Sequence, residues 1–128
     1  MNITLWIAQI LLALAFGMAG FIKTATPIAE LGQQMPWVLE APSGLVRFIG
    51  LSELAGAIGV VLPAATRIKP WLTPLAAAGL VVVMVLALGF HAIQGDPLQQ
   101  YTPSLVLGLI AAFVARGRWS VAPIRARA

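Results

Sequence analysis

The chain contains 128 residues, of which 60% are hydrophobic and only 9% are charged. Because soluble globular domains carry about 25% charged residues, this composition excludes an ordinary water-soluble domain and predicts a lipid environment. A net charge of +4 would suggest nucleic-acid binding in a soluble protein. Here the basic residues flank apolar runs, so we expect contact with the lipid bilayer and no nucleic-acid partner. The lack of cysteine excludes disulfides and thiolate metal sites within this chain.

Four apolar segments predict an all-α fold, an integral membrane antiparallel four-helix bundle that forms a single membrane domain. The predicted spans are residues 3–22, 45–62, 71–92 and 102–115, followed by a basic tail, residues 116–128. A helix needs about 20 residues to cross the hydrocarbon core, and the fourth span is shorter than that. Small residues spaced four apart, such as Ala13 and Gly17, favour close packing between the helices.

The loop between the first two spans, residues 24–44, is too long for a simple turn and contains prolines. Pro27 suits the first turn of a short helix that would run to about Met35. In that helix Ile28, Leu31 and Met35 would form one apolar stripe. We therefore predict a short outer-surface helix that lies on the bundle or on the membrane interface.

Basic residues predict the orientation of the bundle. With four spans, the N-terminus, the second loop and the C-terminus share one side of the membrane. That side carries six of the eight basic residues: Arg67, Lys69, Arg116, Arg118, Arg125 and Arg127. The other side carries Lys23 and Arg47. Because basic loops stay in the cytoplasm, we expect a multi-pass protein of the bacterial inner membrane with both termini cytoplasmic.

The same topology brings four polar residues into the outer half of the bundle: Lys23, Arg47, Glu53 and His91. A charge near the bilayer centre costs about 2.5–3.5 kcal/mol, so Glu53 is expected to have a partner or a function. Arg47 and Glu53 lie about 120° apart around an ideal helix, which argues against direct pairing between them. Glu53 should instead face the bundle interior and meet Lys23, His91 or a ligand.

Each of these residues also fits a structural role. Glu53 fits a hydrogen-bond hub that handles no protons. Arg47 fits an interfacial anchor, and Lys23 fits a span end that reaches toward the interface. His91 fits a hydrogen-bonded structural residue. Haem or metal ligation by His91 is disfavoured, because no second histidine or cysteine completes a protein-only site, and we predict no metal site.

The run RFIGLSELAGAIGVVLP resembles the signature of the DoxX-like membrane proteins. That signature has an arginine, a glycine, a glutamate, a small-residue stretch and a closing Leu-Pro. They correspond here to Arg47, Gly50, Glu53, residues 56–59 and Leu62-Pro63. The run FGMAGFIK at the end of the first span and the small-residue third span ending in His91 also fit.

The resemblance implies a four-helix integral membrane protein. Some DoxX-like relatives are subunits of quinone-linked sulfur-oxidising enzymes, and others accompany membrane oxidoreductases or help to assemble other membrane proteins. The resemblance therefore implies a redox-associated subunit, with a quinone or similar lipophilic molecule as the expected ligand. Without cysteine, a thiol-based form of this role would need a membrane or redox protein partner.

The redox hypothesis predicts an apolar pocket between helices that holds the quinone ring. Its predicted lining is aromatic and consists of Phe16, Phe21, Phe48 and Phe90. Glu53 and His91 would contact the quinone oxygens and relay protons, because both side chain types act as acids and bases.

Two other functions stay open. The small size and the lack of a recognisable catalytic set favour a non-catalytic membrane partner or assembly factor. Whether the chain forms a homo-oligomer stays open. A small carrier or permease would need a water-accessible path, to which the inner half of the bundle contributes little besides Gln9. The sequence assigns no catalytic residue, so it does not decide whether the protein is an enzyme.

Overall fold

The computed structural model describes residues 1–127, and every regular element in that range is helical. The helices are α1 (Asn2–Ala25), α2 (Ile28–Gln34), α3 (Ser43–Thr66), α4 (Leu72–Gln94) and α5 (Thr102–Arg116). Two short 3-10 helices, Pro36–Glu40 and Leu98–Gln100, precede α3 and α5, and a π-helical turn, Gly117–Val121, follows α5. The prediction of an all-α fold is confirmed.

Four helical runs are long and apolar enough to cross a membrane: Asn2–Ala25, Ser43–Thr66, Leu72–Gln94 and Leu98–Val121. The protein is therefore an integral membrane protein in contact with the bilayer. The fourth run is longer than the predicted span, because the 3-10 helix and the π-helical turn extend α5 at both ends. We call the bundle end formed by residues 26–42 and 95–101 the loop face, and the opposite end, formed by residues 67–71 and 117–127, the terminal face.

The long helices end where the backbone leaves the right-handed helical region. Gly95 ends α4 with a φ of 68°, and its N–H donates to the carbonyl of Ala92 at 3.2 Å. Glycine adopts this left-handed conformation without a steric penalty, so it suits the position after a helix. Arg67 ends α3 with a φ of 59°, and the turn that it begins leads directly into α4.

The four long helices form a ring in which α1 packs against α3, α3 against α4, α4 against α5, and α5 against α1. Their inward faces supply one hydrophobic core, made of Ala8, Leu12, Phe16, Ala57, Val60, Ala77, Leu80, Met84, Ala111 and Val114. The most extensive of these contacts joins α1 and α3. Long helices that are consecutive in the sequence are therefore neighbours in space, as expected of an antiparallel bundle.

Two glycines set how closely α1 and α3 approach. A Cβ atom on Gly20 would lie 2.6 Å from the Gly50 carbonyl oxygen and 2.8 Å from the Leu54 backbone nitrogen. A Cβ atom on Gly50 would lie 2.8 Å from the Cβ of Lys23 and 3.0 Å from the Gly20 carbonyl oxygen. Small residues permit such close packing inside a membrane, where hydrophobicity does not drive helices together. The contact therefore depends on glycine at both positions.

The segment between α1 and α3 folds back over the loop face. The predicted outer-surface helix is present as α2, and the 3-10 helix Pro36–Glu40 follows it. Leu31, Val38 and Val46 are fully buried and form a second, smaller core beneath this segment. The loop thus covers the ends of α1 and α3, where Lys23 and Arg47 lie.

Replacing Gly20 with alanine tests the close contact between α1 and α3. The added methyl group would meet backbone atoms that cannot rotate away, so α1 and α3 must separate. We expect Gly20→Ala to lower the free energy of unfolding by about 1–3 kcal/mol, measured by denaturant titration in bicelles. Gly89→Ala is the matched control, because no heavy atom lies within 4 Å of the position that its new methyl group would take. Equal stability of the two variants would contradict the prediction.

Candidate functional site

A buried ion pair joins α1 to α3 beneath the loop face. Lys23 Nζ donates to Glu53 Oε1 at 2.6 Å. The Glu53 side chain is 2% exposed, whereas the Lys23 side chain is 13% exposed, so Lys23 is the more accessible member of the pair. Lys23 and Glu53 each lie three residues after one of the packing glycines, Gly20 and Gly50. Residues three apart share a helix face, so the glycine contact also brings these two side chains together.

Arg47 does not contact Glu53, in agreement with their angular separation on α3. Its Nη1 donates to the carbonyl oxygens of Lys23 at 2.8 Å and Thr26 at 2.7 Å. The last carbonyl groups of a helix lack intrahelical donors and carry a partial negative charge. Arg47 thus caps the C-terminal end of α1 and holds the backbone that carries Lys23.

His91 belongs to a separate polar pair at the loop face. Its Nδ1 lies 2.7 Å from Asp96 Oδ2, so its partner is the aspartate just after α4 rather than Glu53. The His91 ring also packs against Tyr101, with 5.7 Å between the ring centroids. The structure therefore brings Lys23, Arg47 and the Glu53 carboxylate together but leaves His91 outside that group.

A row of aromatic rings connects the two polar pairs. Lys23 Nζ lies 6.0 Å from the centre of the Trp37 ring, and Trp37 packs edge-on against Phe90 at 5.7 Å. Phe90 in turn contacts the ring of its neighbour His91 at 6.2 Å. Trp37 was not among the site residues predicted from the sequence. Its position in a loop that returns over the bundle makes it the ring nearest the ion pair.

The four phenylalanines predicted to line a pocket point in different directions. Phe16 is buried in the central core, and Phe90 packs against Trp37. Phe21 and Phe48 are 64% and 66% exposed on the outside of the bundle, where they contact lipid. The structure therefore does not bring these four residues to one enclosed pocket. Phe21 lies five residues after Phe16 in α1. At about 100° per residue this places the two side chains about 140° apart around the helix axis, so they face different sides.

Arg118 forms a second buried polar cluster, at the terminal face. Its side chain lies in the π-helical turn and is only 3% exposed. Its Nε donates to Gln9 Oε1 at 2.7 Å, and its Nη1 donates to Asn2 Oδ1 at 2.7 Å and to the Ala122 carbonyl at 2.8 Å. The guanidinium carbon also lies 5.5 Å from the Trp6 ring, a distance typical of a cation–π contact.

The Arg118 cluster was missed because the sequence assigned this residue to a basic tail. The available signal was Gln9, a polar residue inside the first span that lacked a partner. Gln9 Nε2 donates to the Val60 carbonyl at 2.6 Å, so Gln9 joins α1 to α3 and to the π-helical turn. Buried polar groups need such partners in a bilayer, where water does not supply them.

Thr73 completes the backbone hydrogen bonding around Pro63. Proline lacks an N–H, so Pro63 leaves the Gly59 carbonyl, four residues earlier in α3, without its helical donor. The Thr73 hydroxyl of α4 donates to that carbonyl at 3.2 Å. Among the side-chain nitrogen and oxygen atoms buried within residues 1–127, all have a hydrogen-bond partner.

Two surface grooves between helices are apolar and lie away from the charged pairs. One, of about 320 Å³, lies between α1 and α5 and is lined mainly by Ile7, Leu11, Leu109 and Phe113. The other, of about 180 Å³, lies between α4 and α5 beside Met84 and Leu105. Their chemistry matches lipid acyl chains and offers nothing to the polar atoms of a ligand.

Comparison with known proteins agrees with the sequence resemblance. The family model described as the DoxX-like family matches residues 7–114, which include all four membrane-spanning helices in whole or in large part. No curated protein and no solved structure matches the chain. The Lys23–Glu53 pair and Gln9 lie inside the matched range, whereas Arg118 lies outside it.

A double-mutant cycle tests the Lys23–Glu53 pair. Lys23→Met and Glu53→Gln each leave a buried polar partner uncompensated, so each should lower the free energy of unfolding by about 3–5 kcal/mol. The double variant should lose clearly less than the sum, as measured by unfolding in bicelles. The same cycle on His91→Gln and Asp96→Asn is the control, because the Asp96 side chain is 29% exposed, against 2% for Glu53, and should couple more weakly. Additive losses at Lys23 and Glu53 would contradict the pairing.

A comparison of Arg118→Met with Arg116→Met tests the terminal-face cluster. Arg118→Met removes a buried guanidinium and leaves Gln9 Oε1 without its donor. We expect a loss of about 1.5–3 kcal/mol in the free energy of unfolding, the range for hydrogen bonds to charged groups. Arg116 is exposed, so Arg116→Met should change stability by less than about 0.5 kcal/mol. Similar losses in both variants would mean that Arg118 acts only through its charge.

Proposed function

Because the chain belongs to the DoxX-like family, we propose that it is a redox-associated membrane subunit that binds a quinone or similar lipophilic molecule at the Lys23–Glu53 pair. Family membership supplies the premise of a membrane protein and leaves the ligand open. The proposal is supported by one observation in particular, the partly exposed side chain of Lys23 beside the buried side chain of Glu53.

Lys23 has hydrogen-bonding capacity that the protein does not use. An ammonium group has three N–H donors, and within residues 1–127 its only hydrogen-bond acceptor is Glu53 Oε1. A quinone carries carbonyl oxygens that accept such bonds, on a ring that is otherwise apolar. The proposed contact is therefore a carbonyl oxygen on Lys23 Nζ, with Glu53 holding the ammonium in place.

The aromatic side of the site fits a flat ring. Trp37 lies 6.0 Å from Lys23 Nζ, and Phe90 packs edge-on against Trp37. Aromatic rings bind one another by offset or edge-to-face stacking, which would orient a quinone whose oxygen contacts Lys23. His91 lies beyond Phe90, so we propose that it acts outside this contact. In this proposal Trp37 and Phe90 contact the quinone ring, in place of the four-phenylalanine pocket expected from the sequence.

Quinone reduction consumes two electrons and two protons. Lys23 and Glu53 would relay one of these protons to the bound carbonyl oxygen, as general acid–base groups do, and water would supply the proton for the second oxygen. The electrons would come from an electron-donating redox protein that associates with this chain. We therefore propose a subunit that binds and protonates the ligand, rather than an enzyme complete in one chain.

We also propose an orientation for this subunit. The terminal face together with Arg116 at the end of α5 carries six basic side chains, and the loop face carries three acidic ones, Glu30, Glu40 and Asp96; this supports cytoplasmic termini in a bacterial inner membrane. In that orientation the Lys23–Glu53 pair opens toward the outer leaflet. A redox partner would then dock at the outer side, over α2 and the 3-10 helix Pro36–Glu40.

Binding of decylubiquinone in nanodiscs tests this function. Wild type should bind one quinone per chain, detected by native mass spectrometry, and its melting temperature should rise with quinone concentration. The variant Lys23→Met/Glu53→Gln removes both polar groups, and we expect it to bind at least about tenfold more weakly, the equivalent of one hydrogen bond. Arg116→Met is the control for charge loss at the opposite face and should bind as wild type does. Equal binding by all three proteins would contradict the proposal.

A non-catalytic partner or assembly factor is the second candidate. The closed Lys23–Glu53 pair, and the full hydrogen bonding of buried side chains within residues 1–127, favour a stable scaffold that needs no ligand. Gentle crosslinking in native membranes separates the two candidates. A partner chain that co-purifies with quinone-free protein, in wild type and in Lys23→Met/Glu53→Gln alike, would support the scaffold.

A further inference from the structure

We propose that the terminal face holds a binding site for the phosphodiester headgroup of an anionic phospholipid. The site is a cluster of four basic side chains, Arg67 and Lys69 from the turn after α3 and Arg125 and Arg127 from the C-terminal segment. We call this set the basic cluster. This proposal is independent of the quinone site, which lies at the opposite end of the bundle.

Two hydrogen bonds hold the two segments of the basic cluster together. The backbone N–H of Arg127 donates to the Arg67 carbonyl at 2.9 Å. The Arg67 Nε donates to the Arg125 carbonyl, also at 2.9 Å. The C-terminal segment thus lies along the turn instead of extending away from the bundle. Basic side chains from distant parts of the sequence are brought to one place by bonds that use mainly backbone atoms.

Within residues 1–127, no ion pair involves the basic cluster. Arg67, Lys69, Arg125 and Arg127 are all exposed. The two ion pairs found within residues 1–127 involve Glu53 and Asp96, which belong to the other half of the molecule. No aspartate or glutamate lies at the terminal face among the described residues, and the other two acids, Glu30 and Glu40, belong to the loop face. Like charges at close range repel, so an external anion would stabilise this arrangement.

Arg118 also lies at the terminal face, but unlike the basic cluster it is not available to an external anion. It is buried, and Gln9, Asn2 and Ala122 occupy its donors. Among residues 1–127, the Arg67 side chain donates only through its Nε, and neither terminal nitrogen of its guanidinium has a hydrogen-bond partner there. Guanidinium groups bind phosphate oxygens in a two-pronged geometry, and a lysine adds a point charge.

The position of the basic cluster indicates a membrane phosphate. Trp71 follows the turn directly and is 56% exposed, and Trp119 in the π-helical turn is 70% exposed. Exposed tryptophans at helix ends lie at the level of the lipid headgroups. Basic clusters beside a membrane-spanning helix attract anionic lipids, with about 1 kcal/mol for each residue near the surface. The phosphodiester of an anionic phospholipid is thus the anion present at this depth.

Lipid titration of the purified full-length protein tests the site. In a neutral detergent, phosphatidylglycerol should form a one-to-one adduct in native mass spectrometry and should raise the melting temperature. Phosphatidylcholine and inorganic phosphate at the same concentration should do so far less. Stabilisation by phosphatidylcholine equal to that by phosphatidylglycerol would overturn the role of charge. Equal stabilisation by inorganic phosphate would overturn the assignment to a lipid and leave a soluble-anion site.

Substitutions inside and outside the basic cluster test whether lipid binding needs these particular side chains or only the overall positive charge of the terminal face. Arg125→Gln keeps the backbone carbonyl that binds Arg67, so the segment stays attached while one charge is lost. It should weaken phosphatidylglycerol binding about fivefold, and Arg125→Gln/Arg127→Gln about 25-fold. Arg116→Gln removes one exposed charge outside the cluster and should change binding less than twofold. An equal loss from Arg116→Gln and Arg125→Gln would overturn the site. Melting temperatures without lipid verify that each variant is folded.

Discussion

The rest of this molecule depends on the close approach of α1 and α3 at Gly20 and Gly50. Each glycine presents backbone to the other helix at a distance that a side chain would prevent. Lys23 and Glu53 each lie one turn beyond these glycines, and their ion pair forms at 2.6 Å because the two backbones are near. Arg47, one turn before Gly50, then reaches the last carbonyls of α1. The packing of α1 on α3, the Lys23–Glu53 ion pair and the capping of α1 by Arg47 thus all depend on the close approach of these two helices.

The two buried cations are stabilised by different chemistry. Lys23 meets a carboxylate, so its charge is compensated within the pair. Arg118 meets amide and carbonyl oxygens, which orient their dipoles toward it but leave its charge in place. A charge removed from water is tolerated in either environment because polar groups of the protein replace part of its hydration. The loop face therefore approaches internal charge balance, while the terminal face retains its excess of positive charge, and this difference separates their proposed ligands.

The sequence predicted the fold well, because hydrophobic runs of spanning length leave few alternatives in a bilayer. It also predicted that Glu53 faces inward and that Lys23 is among its partners. It did not predict the role of Trp37, whose position depends on how a 3-10 helix folds back over α1. Arg118 was missed for a related reason, since its burial requires a π-helical turn that hydrophobicity does not encode. The predicted phenylalanine pocket did not take into account the rotation of side chains around the helix axis, which directs Phe21 and Phe48 to the outside of the bundle.

The hydrogen bond between Arg118 and Gln9 also constrains the order of biogenesis. A ribosome completes α1 long before it reaches Arg118, and α3 supplies only the bond to the Gln9 amide nitrogen. The Gln9 side-chain oxygen therefore lacks its protein donor until the turn that carries Arg118 is made and docks against α1. Docking of that turn completes the hydrogen bonding of Gln9, so α1 becomes fully compatible with lipid only after α5 has been made.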